Sequence, residues 1–493
     1  MANSLLLAID QGTTGSTALV MDLDGKTLGR ATVEFPQHFP KPGWVEHDPE
    51  EIAESVVRAV AGALTAANIE ARSLGAIGIT NQRETTLLWD RATGRPIHRA
   101  IVWQDRRTAP ICATLKPHEA EARERTGLVF DPYFSGTKVR YLLDEVPAAR
   151  DRAERGELAF GTVDSFLVHR LSGGDRHVTD VTNASRTLLM NLATLAWDPR
   201  MLELLGVPES VLPTIVPSAG AIAKTRGFPG LPDGIPITGI AGDQQAALFG
   251  QTCFGLGDAK CTYGTGAFVL VNIGGTPKPS KHGLLTTVAW QVGSDVSYAF
   301  EGSAFVAGAA VQWLRDGLGL IRSAADIEDL ASRVESSEGV YFVPALAGLG
   351  APYWDPEARG VVSGLTRGTT ASHLARATLE GIAHEVTDLL DAMAEDLGTP
   401  LARMRVDGGA AANALLLNEQ SRLAGLTIER PFDLETTARG AAMLAAVGSG
   451  LFASVEEVRR MAPVERTFAA TSDARRAADR LGWKTAVARA RLR

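Results

Sequence analysis

Short apolar runs broken by glycine and hydroxyl residues dominate the first hundred positions. Leu5–Ile9 is apolar, Gln11–Ser16 is a polar turn, Thr17–Met21 is apolar again, and Asp24-Gly25 precedes Thr27–Glu34. This pattern predicts strands joined by hairpins, because Asp-Gly readily adopts the positive φ of a tight hairpin turn. Over Glu50–Ala67 the spacing changes: Ile52, Val56, Val57, Val60 and Leu64 recur at a helical period. Leu74–Thr80, Thr85–Trp89 and Ile97–Trp103 read as further strands, with Thr93-Gly94 as a turn. The second half repeats the layout. Ile235–Ile240 is a β-type run, Gly242-Asp243 a turn, and Gln244–Phe249 a helix start; Cys261–Tyr263 then enters the turn Gly264-Thr265-Gly266, and Phe268–Ile273 continues as a strand. Helical periods follow at Thr369–Leu397, Asn413–Leu423 and Thr437–Val447. The expectation is an α/β protein of two related halves, residues 1–250 and 251–493, meeting near residue 250. Pro229–Pro236 reads equally well as a linker or a surface loop. The tail from Arg475 to Arg493 reads as a solvated terminal helix.

Composition narrows the class. With 49 Lys+Arg against 57 Asp+Glu the net charge is −8, which argues against a general nucleic-acid-binding surface. A 45% hydrophobic and 22% charged composition is that of a folded chain with sizeable cores. No apolar run is long enough for a spanning helix or a signal-peptide core, so the expectation is a soluble, cytoplasmic protein without stable membrane insertion. Cys112, Cys253 and Cys261 are too few for a disulfide framework, and no C-x-x-C is present.

The 50 glycines cluster after short apolar runs, at Gly12–Gly15, Gly239–Gly242, Gly255–Gly266, Gly348–Gly350 and Gly408-Gly409. Such positions suit tight turns or close backbone approach to a ligand, and five of them favour phosphate or nucleotide handling. Common nucleotide motifs nevertheless fail. Gly25-Lys26-Thr27 has Val20 where a P-loop needs its first Gly, and Gly264-Thr265-Gly266 has Val269 where a dinucleotide fingerprint needs its third. His384-Glu385 is followed by Asp388, so the zinc-protease pattern fails too.

Asp10-Gln11-Gly12-Thr13-Thr14-Gly15-Ser16 is more informative. Turn N–H groups and Thr hydroxyls can bind phosphate oxygens, and Asp10 can hold Mg²⁺ through water. The plain alternative is a hairpin satisfying its own backbone. Asp243, between a strand and a helix, is either an N-cap or a carboxylate aimed into a cleft as general base. Thr80-Asn81-Gln82-Arg83-Glu84 is either a solvated loop or a set of fixed donors and acceptors for a small polyhydroxy substrate, with Trp103 and Tyr133 as apolar walls.

Together these residues resemble the FGGY carbohydrate kinases over nearly the whole chain. The resemblance is carried by Asp10–Thr14, Lys41–Pro49 (KPGWVEHDP), Gly78–Thr86 (GITNQRETT), Asp131–Lys138 (DPYFSGTK) and Thr179–Arg186 (TDVTNASR). It continues through Gly239–Gly250 (GIAGDQQAALFG), Thr262–Gly266 (TYGTG), Gly348–Pro356 (GLGAPYWDP) and Val406–Asn413 (VDGGAAAN). It implies two ribonuclease-H-like domains of the actin/hexokinase type with an interdomain cleft. The implied reaction is ATP + glycerol giving ADP + sn-glycerol 3-phosphate, with ATP and Mg²⁺ as cofactors. By the same resemblance Arg83, Glu84, Tyr133, Asp243 and Gln244 hold the glycerol hydroxyls, while Trp103 and Phe268 pack on its carbons. Asp243 matches the catalytic base, and Asp10 with Asp243 the metal site. Thr13, Thr14, Gly264, Thr265, Gly308, Gln312, Gly409 and Asn413 match nucleotide positions. The family often forms homodimers or homotetramers.

Two departures stand out. Many members carry Ser-Ser-Arg after the paired threonines, whereas this chain has Gly15-Ser16-Thr17 and so lacks a cation that would face the phosphates. Some bacterial members are inhibited by fructose 1,6-bisphosphate through a Gly-rich loop ending in Arg; Gly227–Gly234 has no Arg. The rival readings are a related kinase for another polyol or ketose, such as xylulose, and an actin-like ATPase.

Overall fold

The computed structural model describes residues 4–471 and 474–492. Thirteen strands form one sheet, within which the same five-strand order occurs twice. In the N-terminal half Leu5–Gln11, Gly15–Met21 and Thr27–Glu34 form an antiparallel meander. Leu74–Asn81 and Pro236–Gly242 add in parallel on the far side of the first strand, giving the order third-second-first-fourth-fifth. The C-terminal half repeats this with the meander Asp258–Tyr263, Ala267–Gly274 and Asp295–Ala304, followed by Arg403–Asp407 and Ile428–Pro431. Leu285–Val292 and Ala219–Lys224 join the two units edge to edge. The repeated order is the ribonuclease-H-like arrangement expected from the sequence.

Alternation along the strands assigns the two faces. Leu7, Ile9, Ala18 and Val20 pack with Ile52, Val56 and Val60 of the helix Pro49–Ala67. Leu6, Ala8, Leu19 and Met21 face the other way, toward Ala442, Met443 and Ala445 of the helix Thr436–Gly448. That helix comes from the second half of the chain, so it is a contact between the halves. The approach is backbone to backbone: a Cβ on Gly78 would lie 2.0 Å from Ala441 O, and one on Gly440 1.8 Å from Ala246 O in the helix Asp243–Gly250. Gly440→Ala is therefore expected to destabilise the protein by about 1–3 kcal/mol, the usual cost of overpacking. An unchanged melting temperature in that variant would show that the helices separate freely.

Four expectations need correction. The loop after Asn81 continues to Thr86, so the next strand is Leu87–Asp90 rather than Thr85–Trp89. Only Ala100–Ile101 of the run Ile97–Trp103 is strand. Pro229–Pro236 is not a linker; it closes the antiparallel pair Ala219–Lys224 and Pro236–Gly242, with Leu231 and Ile235 anchored in the core. The terminal helix Arg476–Ala490 is not simply solvated, because Trp483, Ala486 and Val487 bury one face against Val343, Ala345 and Leu349. Arg493 lies outside the described residues. The three cysteines are buried and free. Among the described residues no helix is long and apolar enough to cross a membrane.

Candidate active site

Strand ends from both halves converge on one cleft. Asp10 lies near the end of the first strand and Asp243 begins the helix Asp243–Gly250. Gly242, not Asp243, occupies the cap position. The Asp243 carboxylate accepts from the Gln244 N–H at 2.7 Å and faces Arg83 Nε at 3.2 Å, with about a third of the side chain exposed to the cleft. Asp243 is thus the first helical residue, one beyond the cap, and its carboxylate still satisfies one first-turn N–H while the rest of it meets Arg83.

Behind Asp243 lies a buried charge cluster. Arg83 Nη1 donates to Glu301 Oε2 at 2.6 Å and Nη2 to Oε1 at 3.0 Å, a two-point contact of the kind a planar guanidinium favours. Nη2 also donates to the Tyr133 hydroxyl at 3.2 Å. Arg186 Nε donates to Glu84 Oε1 at 2.6 Å, and its Nη2 to Glu301 Oε1 at 2.9 Å. Although burial opposes ionisation, Arg186 and Arg83 hold Glu301 down at about 2. Burial pushes Glu84 up against the pull of Arg83 and Arg186. Glu84 itself has φ 60°, a left-handed conformation held where its carbonyl accepts from Ser135 Oγ and Lys138 Nζ.

The apolar walls are in place. Trp103 and Tyr133 meet edge to face at 5.7 Å, and Trp103 Nε1 donates to Thr13 Oγ1 at 3.0 Å. Phe268 pairs with Thr262 and with Ser303 across the sheet, so it shares a face with Lys260 and Glu301. Lys260 Nζ donates to Gln244 Oε1 and, at 2.8 Å, to Thr262 Oγ1.

A cavity of about 510 Å³ opens on the C-terminal side of the cleft, and Gly264, Thr265, Gly308, Gln312, Gly409 and Asn413 all line it. The turn Gly264–Gly266 docks on the start of the helix Gly308–Asp316, where a Cβ on Gly308 would lie 2.6 Å from Gly264 O. Thr13 and Thr14 stand on the opposite hairpin. The backbone N–H groups of Thr13, Thr14 and Thr265 have no carbonyl partner among the described residues, so both turns present donors. Asn413 instead caps the helix Ala414–Ala424 through Leu416 N–H at 2.9 Å.

Asp10 and Asp243 come close enough for their charges to interact. Burial, then the neighbouring Asp243 and Glu435, push Asp10 up to about 8, with Arg30 opposing. Burial also raises Asp243, while Arg83 and Lys260 restrain it. Mutual repulsion of two such groups is what a divalent cation relieves, so the pair fits Mg²⁺. Among the described residues no set of three or more His, Cys, Asp or Glu side chains gathers that could hold a metal ion.

The structure thus brings Arg83, Glu84, Tyr133 and Asp243 together in one cluster and gathers Gly264, Thr265, Gly308, Gln312, Gly409 and Asn413 around one cavity. Sequence reasoning missed Glu301, Arg186, Lys260 and Lys138. Arg186 ends the TDVTNASR block, and Glu301 is a lone carboxylate directly after the apolar run Tyr298–Phe300, the one local signal that could have exposed it.

Comparison with known proteins is consistent across methods of likeness. Residues 5–250 match the N-terminal domain of the FGGY family of carbohydrate kinases, and residues 259–449 its C-terminal domain. The chain is 55% identical over 489 residues to a glycerol kinase of Deinococcus radiodurans, covering 99% of this chain and 97% of the relative. It is likewise 55% identical over 470 residues to one from Oceanobacillus iheyensis, covering 95% and 94%. The solved structure of Plasmodium falciparum glycerol kinase with ADP superposes with a TM-score of 0.94 at 34% identity, covering 99% and 98% of the two chains. A xylulose kinase from Lactobacillus acidophilus shares the fold, at a TM-score of 0.86 and 21% identity over 99% and 96% of the chains.

Proposed function

The chain belongs to the FGGY family of carbohydrate kinases, and on that premise we propose that it transfers the γ-phosphoryl group of ATP to a terminal hydroxyl of glycerol, with Asp243 as general base. The observation that carries this reading is the Asp243 carboxylate, about a third exposed and held 3.2 Å from Arg83 Nε at the edge of the buried polar cluster.

A hydroxyl is a weak nucleophile until its proton has somewhere to go. Asp243 accepts that proton as the glycerol oxygen bonds to the γ-phosphorus. The bond from phosphorus to the bridging β-phosphate oxygen breaks, and ADP leaves with that electron pair. Burial makes the Asp243 carboxylate more basic than a solvated one, and Arg83 at 3.2 Å pulls the other way. Arg83, Glu84, Tyr133 and Gln244 would hold the glycerol hydroxyls, with the buried Arg186 Nη1, which has no partner among the described residues, as a further donor beside them. Trp103 and Phe268 offer apolar surface to the carbon chain. Thr13, Thr14 and Thr265 direct their N–H groups at phosphate oxygens, and the cavity takes the nucleoside. Mg²⁺, held by Asp10 and Asp243 with phosphate oxygens, would neutralise charge on the γ-phosphate.

The Asp10 environment makes a separate prediction. With its affinity for a proton raised to about 8, Asp10 is mostly protonated at pH 7 without the cation, and Mg-ATP displaces that proton. Calorimetric titration at pH 7 in buffers of different ionisation enthalpy should report release of about one proton with Mg-ATP. Metal-free ATP should release none, and equal values for both would remove Asp10 from the metal site.

ADP release with Mg-ATP, with and without millimolar glycerol, tests the activity. Dependence on glycerol supports it; turnover without glycerol points to an ATPase, and activity only with a pentulose reassigns the substrate. A cytoplasmic location suits an ATP-dependent kinase, and family membership favours a homodimer or homotetramer, which analytical ultracentrifugation distinguishes.

A further inference from the structure

Position 17 carries threonine, and strand register shows what stands near it. Asp10 pairs with Thr17, Thr17 with Thr32, and Leu19 with Arg30 across the N-terminal meander. Directly paired residues, and residues two apart on one strand, share a face. Asp10, Thr17, Thr32 and Arg30 therefore lie on the same side as Leu6, Ala8 and Leu19, the side facing the helix Thr436–Gly448. Ala31 and Val33 point the opposite way, into the core beneath the helix Pro49–Ala67. Thr17 is too short to reach across this face, and its hydroxyl is engaged with Thr32 Oγ1 at 2.9 Å.

Arg30 reaches further. Its strand lies two spacings from that of Asp10 and the residue is level with Ala8, roughly 12 Å from Asp10, of which an extended arginine side chain spans about half. Its guanidinium already leaves the strand toward the cleft, where Nη2 meets Glu435 Oε1 at 2.7 Å. Glu435 immediately precedes the helix Thr436–Gly448 of the other half. The pair therefore bridges the two halves beside Asp10. Both side chains are well exposed, so the ion pair holds little energy and exchanges easily. A polyphosphate beside Asp10 carries more charge than a single carboxylate and offers a guanidinium the same two-point geometry.

We propose that Arg30 is the phosphate-facing cation of this enzyme, supplied from the third strand in place of one at position 17, and that Glu435 holds it until ATP enters the cleft. The proposal rests on the kinase reading above. Arg30 then leaves Glu435 for the γ-phosphate oxygens and offsets the charge spread over them as the bond to ADP breaks. Exchanging partners also ties nucleotide binding to a contact between the halves.

The test is steady-state kinetics of the full-length enzyme with Mg-ATP and glycerol, on wild type, Arg30→Ala, Arg30→Lys and Arg30→Ala/Thr17→Arg. Arg30→Ala should lose roughly 10–100-fold in kcat/KM for ATP, with KM for glycerol unchanged. Arg30→Lys should keep part of the rate. The double variant should recover at least part of the loss, because residue 17 projects onto the same face between Arg30 and Asp10. Glu435→Gln, which removes the competing carboxylate, should lower KM for ATP about two- to fivefold. Arg30→Ala with wild-type kcat and KM for ATP would overturn the proposal. So would an equal loss in the single and double variants accompanied by a rise in glycerol KM or a drop in melting temperature. A wild type without glycerol-dependent ADP release would instead overturn the kinase reading itself.

Discussion

Replacing Asp243 by Asn is expected to lower glycerol-dependent ADP release by roughly 10²–10⁴-fold, the range for loss of a positioned general base. The amide is isosteric and keeps an oxygen to accept from the Gln244 N–H, so the helix start is preserved. What it loses is the site for the hydroxyl proton. Arg83 Nε also loses a charged partner, but its two bonds to Glu301 remain and keep the guanidinium in place. Glycerol KM should therefore change far less than kcat, a split that separates a proton acceptor from a binding group. Asp243→Asn with more than a tenth of wild-type kcat would exclude the general-base role.

Glu301→Gln is expected to act on stability and binding together. Glu301 is the shared anion between Arg83 and Arg186, all three almost fully buried. Removing its charge leaves two guanidinium groups facing each other with only Glu84 between them, and breaking a buried pair in this way costs about 3–5 kcal/mol. The pH dependence has a definite sign. Arg186 and Arg83 overcome the burial penalty and depress the folded-state value to about 2 from an ordinary 4.5. The contribution is thus complete above the unfolded value and is lost as pH falls toward 2. Denaturant unfolding should show the full wild-type advantage at pH 7 and one smaller by about 1 kcal/mol at pH 3.5. Because Glu301 orients Arg83 at two points, glycerol KM should rise roughly tenfold as that orientation is lost. An equally stable variant with unchanged glycerol KM would mean that Arg83 is positioned by Asp243, Gln245 and Tyr133 alone.

The parts of the molecule legible in the sequence are those determined by neighbours along the chain. Apolar alternation and Asp24-Gly25 marked the meander Leu5–Glu34, and the period over Ile52–Leu64 marked its covering helix. Gly-Thr turns at Gly12–Thr14 and Gly264–Gly266 were visible because tight turns use few residue types. Boundaries failed where polar side chains continued from a strand end, as at Thr85 and Thr86, since only burial tells a site loop from a strand. The tail misled for a related reason: its arginines dominate the composition, while the face carrying Trp483 and Val487 is decided by a partner far away in sequence.

By itself the sequence determined the α/β class, the doubled layout, the turns and the residues that resemble a family's site. Those properties follow from local steric and hydrophobic patterning. Only the tertiary structure decided which charges meet. Glu301 lies 218 residues from Arg83, Glu435 comes to Arg30 from the opposite half, and Asp243 meets Arg83 across a long stretch of chain. Electrostatic partnership depends on distance and burial in space, and neither is encoded in the order of neighbouring residues.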